Sequence, residues 1–79
     1  MSETVRAWVR AWFVERNPAT AIDDEANFYE AGYVDSFGII ELIDAIESHF
    51  AIEFADEDFR LASFRTIVGL SDIIASRAE

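Results

Sequence analysis

The sequence predicts an all-α fold, a small bundle of three main helices plus one short helix, with a long ordered loop between helices one and two. Apolar residues recur at helical spacing in three separate stretches of the chain. The chain has only 79 residues and no cysteine, so a core built from its 52% hydrophobic residues must stabilise the fold. No internal repeat or linker interrupts it. We therefore expect a single domain over residues 1–79.

The first helix is predicted from Glu3 to about Glu15, because apolar residues three and four positions apart form one stripe there. The stripe consists of Val5, Trp8, Val9, Trp12 and Phe13. Aromatic residues at this spacing bury large areas, so core packing is favoured over a ligand-stacking role for both tryptophans. Trp8 lies at the edge of the stripe and is expected to be partly exposed. Asn17-Pro18 ends the helix.

Residues 17–35 combine turn formers with scattered apolar anchors, and a loop of this length is expected to pack by its own side chains. The anchors are Ile22, Phe28, Tyr29, Tyr33 and Val34. Gly32 is expected to supply a turn that delivers Asp35 and Ser36. The second helix is predicted over residues 36–50. Its inner face consists of Ile39, Leu42, Ile43, Ile46 and Phe50.

The remainder of the chain predicts one short helix and a third main helix. Residues 51–54 alternate like a strand, but a single strand has no pairing partner, which favours an extended loop followed by a short helix around residues 56–61. Thr66 is expected to cap the last helix, which ends near Arg77. Its inner face consists of Ile67, Leu70, Ile73 and Ile74.

The charge balance limits the classes of partner. There are 6 Lys+Arg residues against 16 Asp+Glu residues, a formal net charge of −10. Such a surface repels nucleic acids and anionic membranes and favours basic protein surfaces, so we expect neither a nucleic-acid nor a membrane partner. A further hypothesis, that the protein is an inhibitor that mimics nucleic acid, rests on the net charge alone. The amino terminus has charges and no unbroken apolar run, which predicts a cytoplasmic protein without a signal peptide.

A calcium loop is suggested by the alternation of Asp23, Glu25 and Asn27, but the pattern fails further along. The sixth position, which requires glycine, is Phe28, and the twelfth position, which requires a bidentate acid, is Val34. We therefore expect no metal site.

Nucleophilic catalysis by Ser36 would need a base within hydrogen-bond reach. His49 is the sole histidine, and it lies thirteen positions along the same predicted helix, about 20 Å away at the standard rise. It is expected to be a partly exposed structural residue. No catalytic residue can be assigned, and we expect that the protein is not an enzyme.

Ser36 is instead expected to be a point of attachment. A helix start favours a phosphate there, because it presents unpaired N–H groups and the positive end of the helix dipole. Asp35 could contact a magnesium ion during transfer of a phosphorylated group. On local features alone the simpler alternative is favoured, in which Ser36 is only the N-cap of the helix.

Residues 35–50 resemble the Asp-Ser-Leu motif and second helix of acyl carrier proteins and related peptidyl carrier domains. Residues 28–34 resemble the family's approach to the motif, residues 50–54 its exit from the second helix, and residues 63–70 the start of its last helix. Phe37 replaces the usual leucine, Gly38 follows it, and Ala55 stands where proline often ends the exit segment. The combination looks closer to carriers that hold amino acids or serve secondary metabolism.

The resemblance implies that Ser36 carries 4'-phosphopantetheine, transferred from coenzyme A by a phosphopantetheinyl transferase with magnesium. The arm ends in a thiol, so the cofactor supplies the sulfur that the chain lacks. It also implies a free-standing, monomeric carrier. Its partners would be an acyl- or aminoacyl-loading ligase and a downstream synthase or transferase.

A partner-binding face is expected on the second helix, directly after Ser36. At helical pitch Phe37, Glu41, Asp44 and Ser48 share one sector, with Glu47 flanking it. The family uses this helix to dock basic enzyme patches, whereas ordinary solvation is the alternative role for the acids. The rival function is an unmodified acidic helical module for protein–protein interaction.

Overall fold

The computed structural model describes residues 2–78, which fold into three α-helices and two 3-10 helices without a β-strand. The α-helices are α1 (Ser2–Arg16), α2 (Ser36–Phe50) and α3 (Ile67–Ala78), and the 3-10 helices are Asp56–Arg60 and Ala62–Arg65. The all-α prediction is confirmed, and the predicted bounds of α2 are correct. Within residues 2–78 no helix is both long enough and apolar enough to cross a membrane.

The segment between α2 and α3 contains the short helix that the sequence predicts around residues 56–61, which is the 3-10 helix Asp56–Arg60. A second 3-10 helix, Ala62–Arg65, follows it and was not predicted. They are separate because Leu61 between them adopts an extended conformation, with φ −73° and ψ 135°. The chain is therefore not a bundle of four regular helices.

The core lies where the three α-helices and the long loop meet. Its buried hydrophobic residues are Val5, Val9, Phe13, Ile22, Phe28, Leu42, Ile46, Phe54, Phe64, Ile67, Leu70 and Ile74. The predicted inner stripes of all three helices contribute to it. Trp8 and Trp12 are half-buried against this core, as the stripe on α1 predicted.

Phe28 anchors the long loop. Its side chain is completely buried and stacks on Phe13 of α1, with 5.0 Å between the ring centroids. Its backbone N–H donates to the carbonyl of Arg65 at 2.8 Å, and its carbonyl accepts from the N–H of Tyr33 at 3.0 Å. The loop is thus tied both to α1 and to the residues before α3, which confirms the prediction of an ordered loop.

Polar contacts fasten the first half of the loop to α1 and α3. Arg10 donates to the carbonyl of Ile22 at 3.0 Å and forms an ion pair with the carboxylate of Asp24. The carbonyl of Asp24 accepts from the N–H of Val68, at 3.1 Å. This stretch therefore bridges the first and last helices.

The calcium-like alternation in the loop serves to close turns. Asp23 accepts from the N–H of Glu25 at 2.9 Å, and Asn27 accepts from the N–H groups of Tyr29 and Glu30 at 3.0 and 3.2 Å. Asp and Asn favour such local turns because their side chains reach backbone groups two residues further on. In the part of the chain that the structure describes, no three acidic or histidine side chains cluster to hold a metal ion.

Asp58 connects the first 3-10 helix to the last turn of α3. The residue is 5% exposed, and its carboxylate accepts from Arg77 at 2.7 and 2.8 Å and from the N–H of Ala55 at 2.9 Å. The hydrogen bond from Arg77 holds the pKa of Asp58 below its ordinary value. The carboxylate therefore stays ionised at lower pH than an ordinary aspartate does, and the ion pair with Arg77 is kept with it.

The start of α3 depends on Thr66 and Gly69. The Thr66 hydroxyl accepts from the N–H of Gly69 at 2.9 Å, which confirms the predicted cap. A Cβ on Gly69 would lie 2.0 Å from the carbonyl oxygen of Ser63 and 2.7 Å from its carbonyl carbon. Only glycine permits the second 3-10 helix to pack this closely on α3.

We expect Gly69→Ala to destabilise the protein by about 1–3 kcal/mol, because an added methyl group in a packed contact forces the backbone apart. Chemical denaturation followed by circular dichroism measures the change. Ser76→Ala is the control, since Ser76 is an exposed residue of the same helix. Helix propensity alone favours alanine by about 1 kcal/mol, so a Gly69→Ala variant as stable as the parent would contradict this account.

Candidate attachment site at the start of α2

The last residues of the loop hold the start of α2 in place. Gly32 has φ +77°, the left-handed conformation that favours glycine, which confirms the predicted turn. The Tyr33 hydroxyl accepts from the N–H of Asp23 at 3.1 Å and donates to the carbonyl of Ala21 at 3.3 Å. The Tyr33 carbonyl accepts from the Asn17 amide at 3.0 Å. The chain therefore reaches α2 from a fixed position.

Asp35, rather than Ser36, is the N-cap of α2. Its backbone is extended, and its Oδ1 accepts from the N–H of Gly38 at 2.7 Å. Its carbonyl accepts from the N–H of Ile39 at 3.0 Å. The alternative in which Ser36 serves only as the N-cap is therefore wrong: Ser36 is the first helical residue, and its neighbour does the capping.

Gly38 allows the cap to form. A Cβ at this position would lie 2.8 Å from Cγ2 of Val34 and 3.2 Å from Oδ1 of Asp35. The missing side chain thus makes room for the residues just before α2 to fold against its first turn. Sequence reasoning noted Gly38 only as a departure from the family pattern and missed this role.

Ser36 itself is exposed, and its hydroxyl has no hydrogen bond within residues 2–78. It lies at the end of α2 where backbone N–H groups lack helical partners and the dipole is positive. His49 lies at the opposite end of α2, where its ring stacks on Trp8 at 4.8 Å and meets Phe50 edge to face. The expectation of a structural, solvent-accessible histidine is correct. Ser36 is thus an accessible hydroxyl far from the sole histidine.

An open groove of about 800 Å³ lies beside Ser36, between the last turn of α1 and the first turns of α2. It is lined by Trp12, Glu15, Arg16, Gly32, Tyr33, Val34, Asp35, Phe37, Gly38 and Glu41. Arg16 joins its two sides: its guanidinium stacks over Trp12 at 4.1 Å and donates to Glu41 at 3.0 Å. This pairing could not be predicted from the sequence, because Arg16 and Glu41 are 25 positions apart.

The outer face of α2 is more apolar than the sequence indicated. Phe37 is 79% exposed and Ile40 is 58% exposed, so two large hydrophobic side chains flank Ser36 in solvent. Sequence reasoning identified Phe37 but missed Ile40. The signal was present, because Ile40 follows Phe37 by three positions and lies outside the predicted inner face.

The predicted acids of this face have different surroundings. Asp44 and Ser48 are exposed, and Glu41 is exposed but paired with Arg16. Glu47 is half-buried, and its carboxylate accepts from the N–H of Phe54 at 3.0 Å. Glu47 therefore closes the turn after α2.

Comparison with known proteins assigns the family. Residues 4–74 match the family model described as "Phosphopantetheine attachment site". The chain belongs to this family. It is also 34% identical over 74 residues to the aminoacyl carrier protein of Agrobacterium fabrum, covering 94% of this chain and 88% of that relative. No solved structure matches the chain significantly.

Members of this family bear 4'-phosphopantetheine covalently, and this protein is a carrier that holds acyl groups on such an arm. The start of α2 fits this cofactor. It offers an exposed hydroxyl with no competing hydrogen bond in the described residues, at the positive end of a helix and beside an open groove.

Proposed function

We propose that Ser36 is the residue that carries the phosphopantetheine arm, and that the acyl groups it holds are aminoacyl groups. The main supporting observation is that Ser36 is exposed and begins α2, and that its hydroxyl makes no hydrogen bond within residues 2–78 because Asp35 forms the cap. During attachment, Ser36 Oγ bonds to the phosphorus that bears pantetheine in coenzyme A. The nucleotide part leaves and the serine proton is released.

The bound arm supplies the thiol on which a thioester is formed, which the chain cannot supply because it has no cysteine. The protein's own residues position and present this group. Asp35 and Gly38 fix the first turn of α2, and the positive end of that helix stabilises the phosphodiester on Ser36. In this proposal the chain contributes no catalytic residue to the reactions of its cargo.

An aminoacyl cargo is supported by the relative of Agrobacterium fabrum, which is named an aminoacyl carrier protein. The partners of this protein would then be three classes of enzyme. A phosphopantetheinyl transferase attaches the arm, a ligase activates an amino acid and loads it, and a downstream transferase or synthase accepts it.

We expect intact mass spectrometry to detect one added phosphopantetheine after incubation with coenzyme A, magnesium and a broad-specificity transferase. Ser36→Ala should abolish the gain, because the accepting hydroxyl is gone. Ser76→Ala is the control, since it removes an exposed serine of α3, outside the expected partner-binding face, and it should be modified like the parent. A gain that persists in Ser36→Ala would refute the assignment. No gain in the parent with several transferases would favour the unmodified interaction module.

Asp35 is proposed to have a second task, contact with magnesium during transfer. Its Oδ1 accepts a hydrogen bond from the N–H of Gly38, whereas its Oδ2 has no hydrogen bond within residues 2–78. Magnesium is commonly held by one or two carboxylates together with substrate phosphates. The two tasks can be separated, because asparagine retains a capping oxygen and loses the charge.

We expect Asp35→Asn to keep the stability of the parent within a few tenths of a kcal/mol, since both residues are strong N-caps, while the transferase modifies it more slowly. Asp35→Ala should lose about 0.5–2 kcal/mol of stability as well. Thermal unfolding and initial rates of mass gain measure the two effects. If Asp35→Asn is modified at the parental rate, Asp35 acts only as a cap.

We also propose that partner enzymes dock on the face of α2 defined by Phe37, Ile40 and Asp44. The two hydrophobic side chains are exposed directly beside Ser36, and large exposed hydrophobic residues grouped in one place are typical of interaction sites. Glu41 is paired with Arg16, and Glu47 closes a turn, so Asp44 is the predicted acid without an ion pair or hydrogen bond in residues 2–78. Aromatic contact supplies affinity, and charge steers the encounter.

Phe37→Ala is expected to lower kcat/KM of the transferase by roughly tenfold or more, because truncating an aromatic anchor in an interface commonly costs about 2 kcal/mol. Val14→Ala is the control, since Val14 is an exposed hydrophobic residue on α1. Asp44→Lys should also slow modification, by a factor that shrinks as salt rises, whereas Glu53→Lys, which changes an acid outside this face, should slow it less. Equal rates for Phe37→Ala and Val14→Ala would exclude this docking face.

A further inference from the structure

We propose that the groove between α1 and α2 is a resting site for the pantetheine arm, with Trp12 and Arg16 as its contacts on α1. The inference rests on attachment at Ser36 and goes beyond it, because it assigns a place on the protein to a group that could otherwise extend freely into solvent. It concerns residues of α1, none of which belongs to the proposed attachment point or docking face.

The location of the groove is the first argument. Asp35 and Phe37, the immediate chain neighbours of Ser36, line it, and so does Gly38. A group attached to the Ser36 hydroxyl therefore starts at the edge of the groove. The volume of about 800 Å³ lies within the range of roughly 300–1,000 Å³ that is usual for small-molecule sites.

The chemistry of the lining is the second argument. A pantetheine arm alternates apolar and polar parts: a carbon with two methyl groups, a hydroxyl, and two amides. The groove offers both kinds of contact, with the rings of Trp12 and Tyr33 as apolar surface and the side chains of Glu15 and Arg16 as hydrogen-bonding groups. Sites of this type combine aromatic walls with a few polar groups that fix orientation.

Arg16 is suited to exchange partners when the arm enters. Its side chain is 45% exposed and that of Glu41 is 64% exposed, so solvent screens their ion pair and makes it weak. A guanidinium has five N–H donors, and the contact with Glu41 uses one of its nitrogens. Arg16 can therefore donate to an amide carbonyl of the arm without losing its stacking on Trp12.

Trp8 gives an internal control for Trp12. Both tryptophans lie on the same stripe of α1 and both are half-buried against the core. Trp8 contacts His49 and Phe50 at the far end of α2, with centroid distances of 4.8 and 5.3 Å, whereas Trp12 lines the groove beside Ser36. An arm that rests in the groove must affect Trp12 and leave Trp8 unchanged.

The test is nuclear magnetic resonance of the ¹⁵N-labelled protein before and after attachment of the arm, with complete modification of Ser36 first established by intact mass. We expect the indole N–H resonance of Trp12 to shift at least several-fold more than that of Trp8. We also expect nuclear Overhauser contacts between the two arm methyl groups and the Trp12 ring. Arg16→Ala, an exposed change, should weaken these contacts while circular dichroism stays helical.

The outcomes separate this inference from the attachment itself. No mass gain at Ser36 would refute the attachment site. Complete modification with equally small shifts of both indoles, and no methyl contact to Trp12, would refute the resting site alone. Methyl contacts to Phe59 or Leu61, exposed hydrophobic residues outside the groove, would place the arm elsewhere and also overturn the proposal.

Discussion

The contact between Phe13 and Phe28 determines where the functional end of the molecule lies. Ser36 follows 19 residues of loop, so no regular backbone ladder places it relative to α1. Phe28 holds the loop in place instead. Its completely buried ring stacks on α1, and its backbone N–H donates to the segment before α3. Truncating a buried phenylalanine to alanine typically costs about 3–5 kcal/mol, a large part of the stability of a small domain. The position of the proposed attachment site therefore depends on core packing.

Capping by Asp35 rather than by Ser36 has a consequence for function. A capping serine would use its hydroxyl oxygen to satisfy the helix, and a phosphodiester on that oxygen would disturb the cap. Because Asp35 accepts from the N–H of Gly38 instead, this capping hydrogen bond does not depend on whether Ser36 is modified. Attachment of an arm at Ser36, as proposed, would thus leave the first turn of α2 intact. Gly38 belongs to the same arrangement, since a side chain there would collide with Val34.

The parts of the structure that could be predicted are those governed by local periodicity. The limits and inner face of α2, the turn at Gly32 and the cap at Thr66 all follow from spacing and turn chemistry. The identity of the cap could not be predicted, because aspartate and serine are both strong N-caps and stand side by side.

Contacts between segments that are distant in the chain could not be predicted from the sequence either. Arg16 meets Glu41 across 25 positions, and Gly69 meets the backbone of Ser63 through a close approach that no pattern records. The second 3-10 helix was not predicted, because the extended conformation of Leu61, which separates it from the first, leaves no periodic pattern in the sequence. Ile40 of the proposed docking face could have been predicted, because it lies three positions after Phe37 and so on the same side of the helix.

The strongly acidic charge gives an incomplete picture of how a partner would recognise α2. The net charge of −10 acts at long range, where it would draw a basic enzyme surface towards the protein. Close to Ser36 the balance is different, because Arg16 neutralises Glu41 while Phe37 and Ile40 remain in solvent. Charges mainly increase the rate of encounter, whereas desolvated aromatic anchors slow dissociation. Docking on this face would therefore be steered by acids over the whole surface and held by two hydrophobic side chains next to the serine.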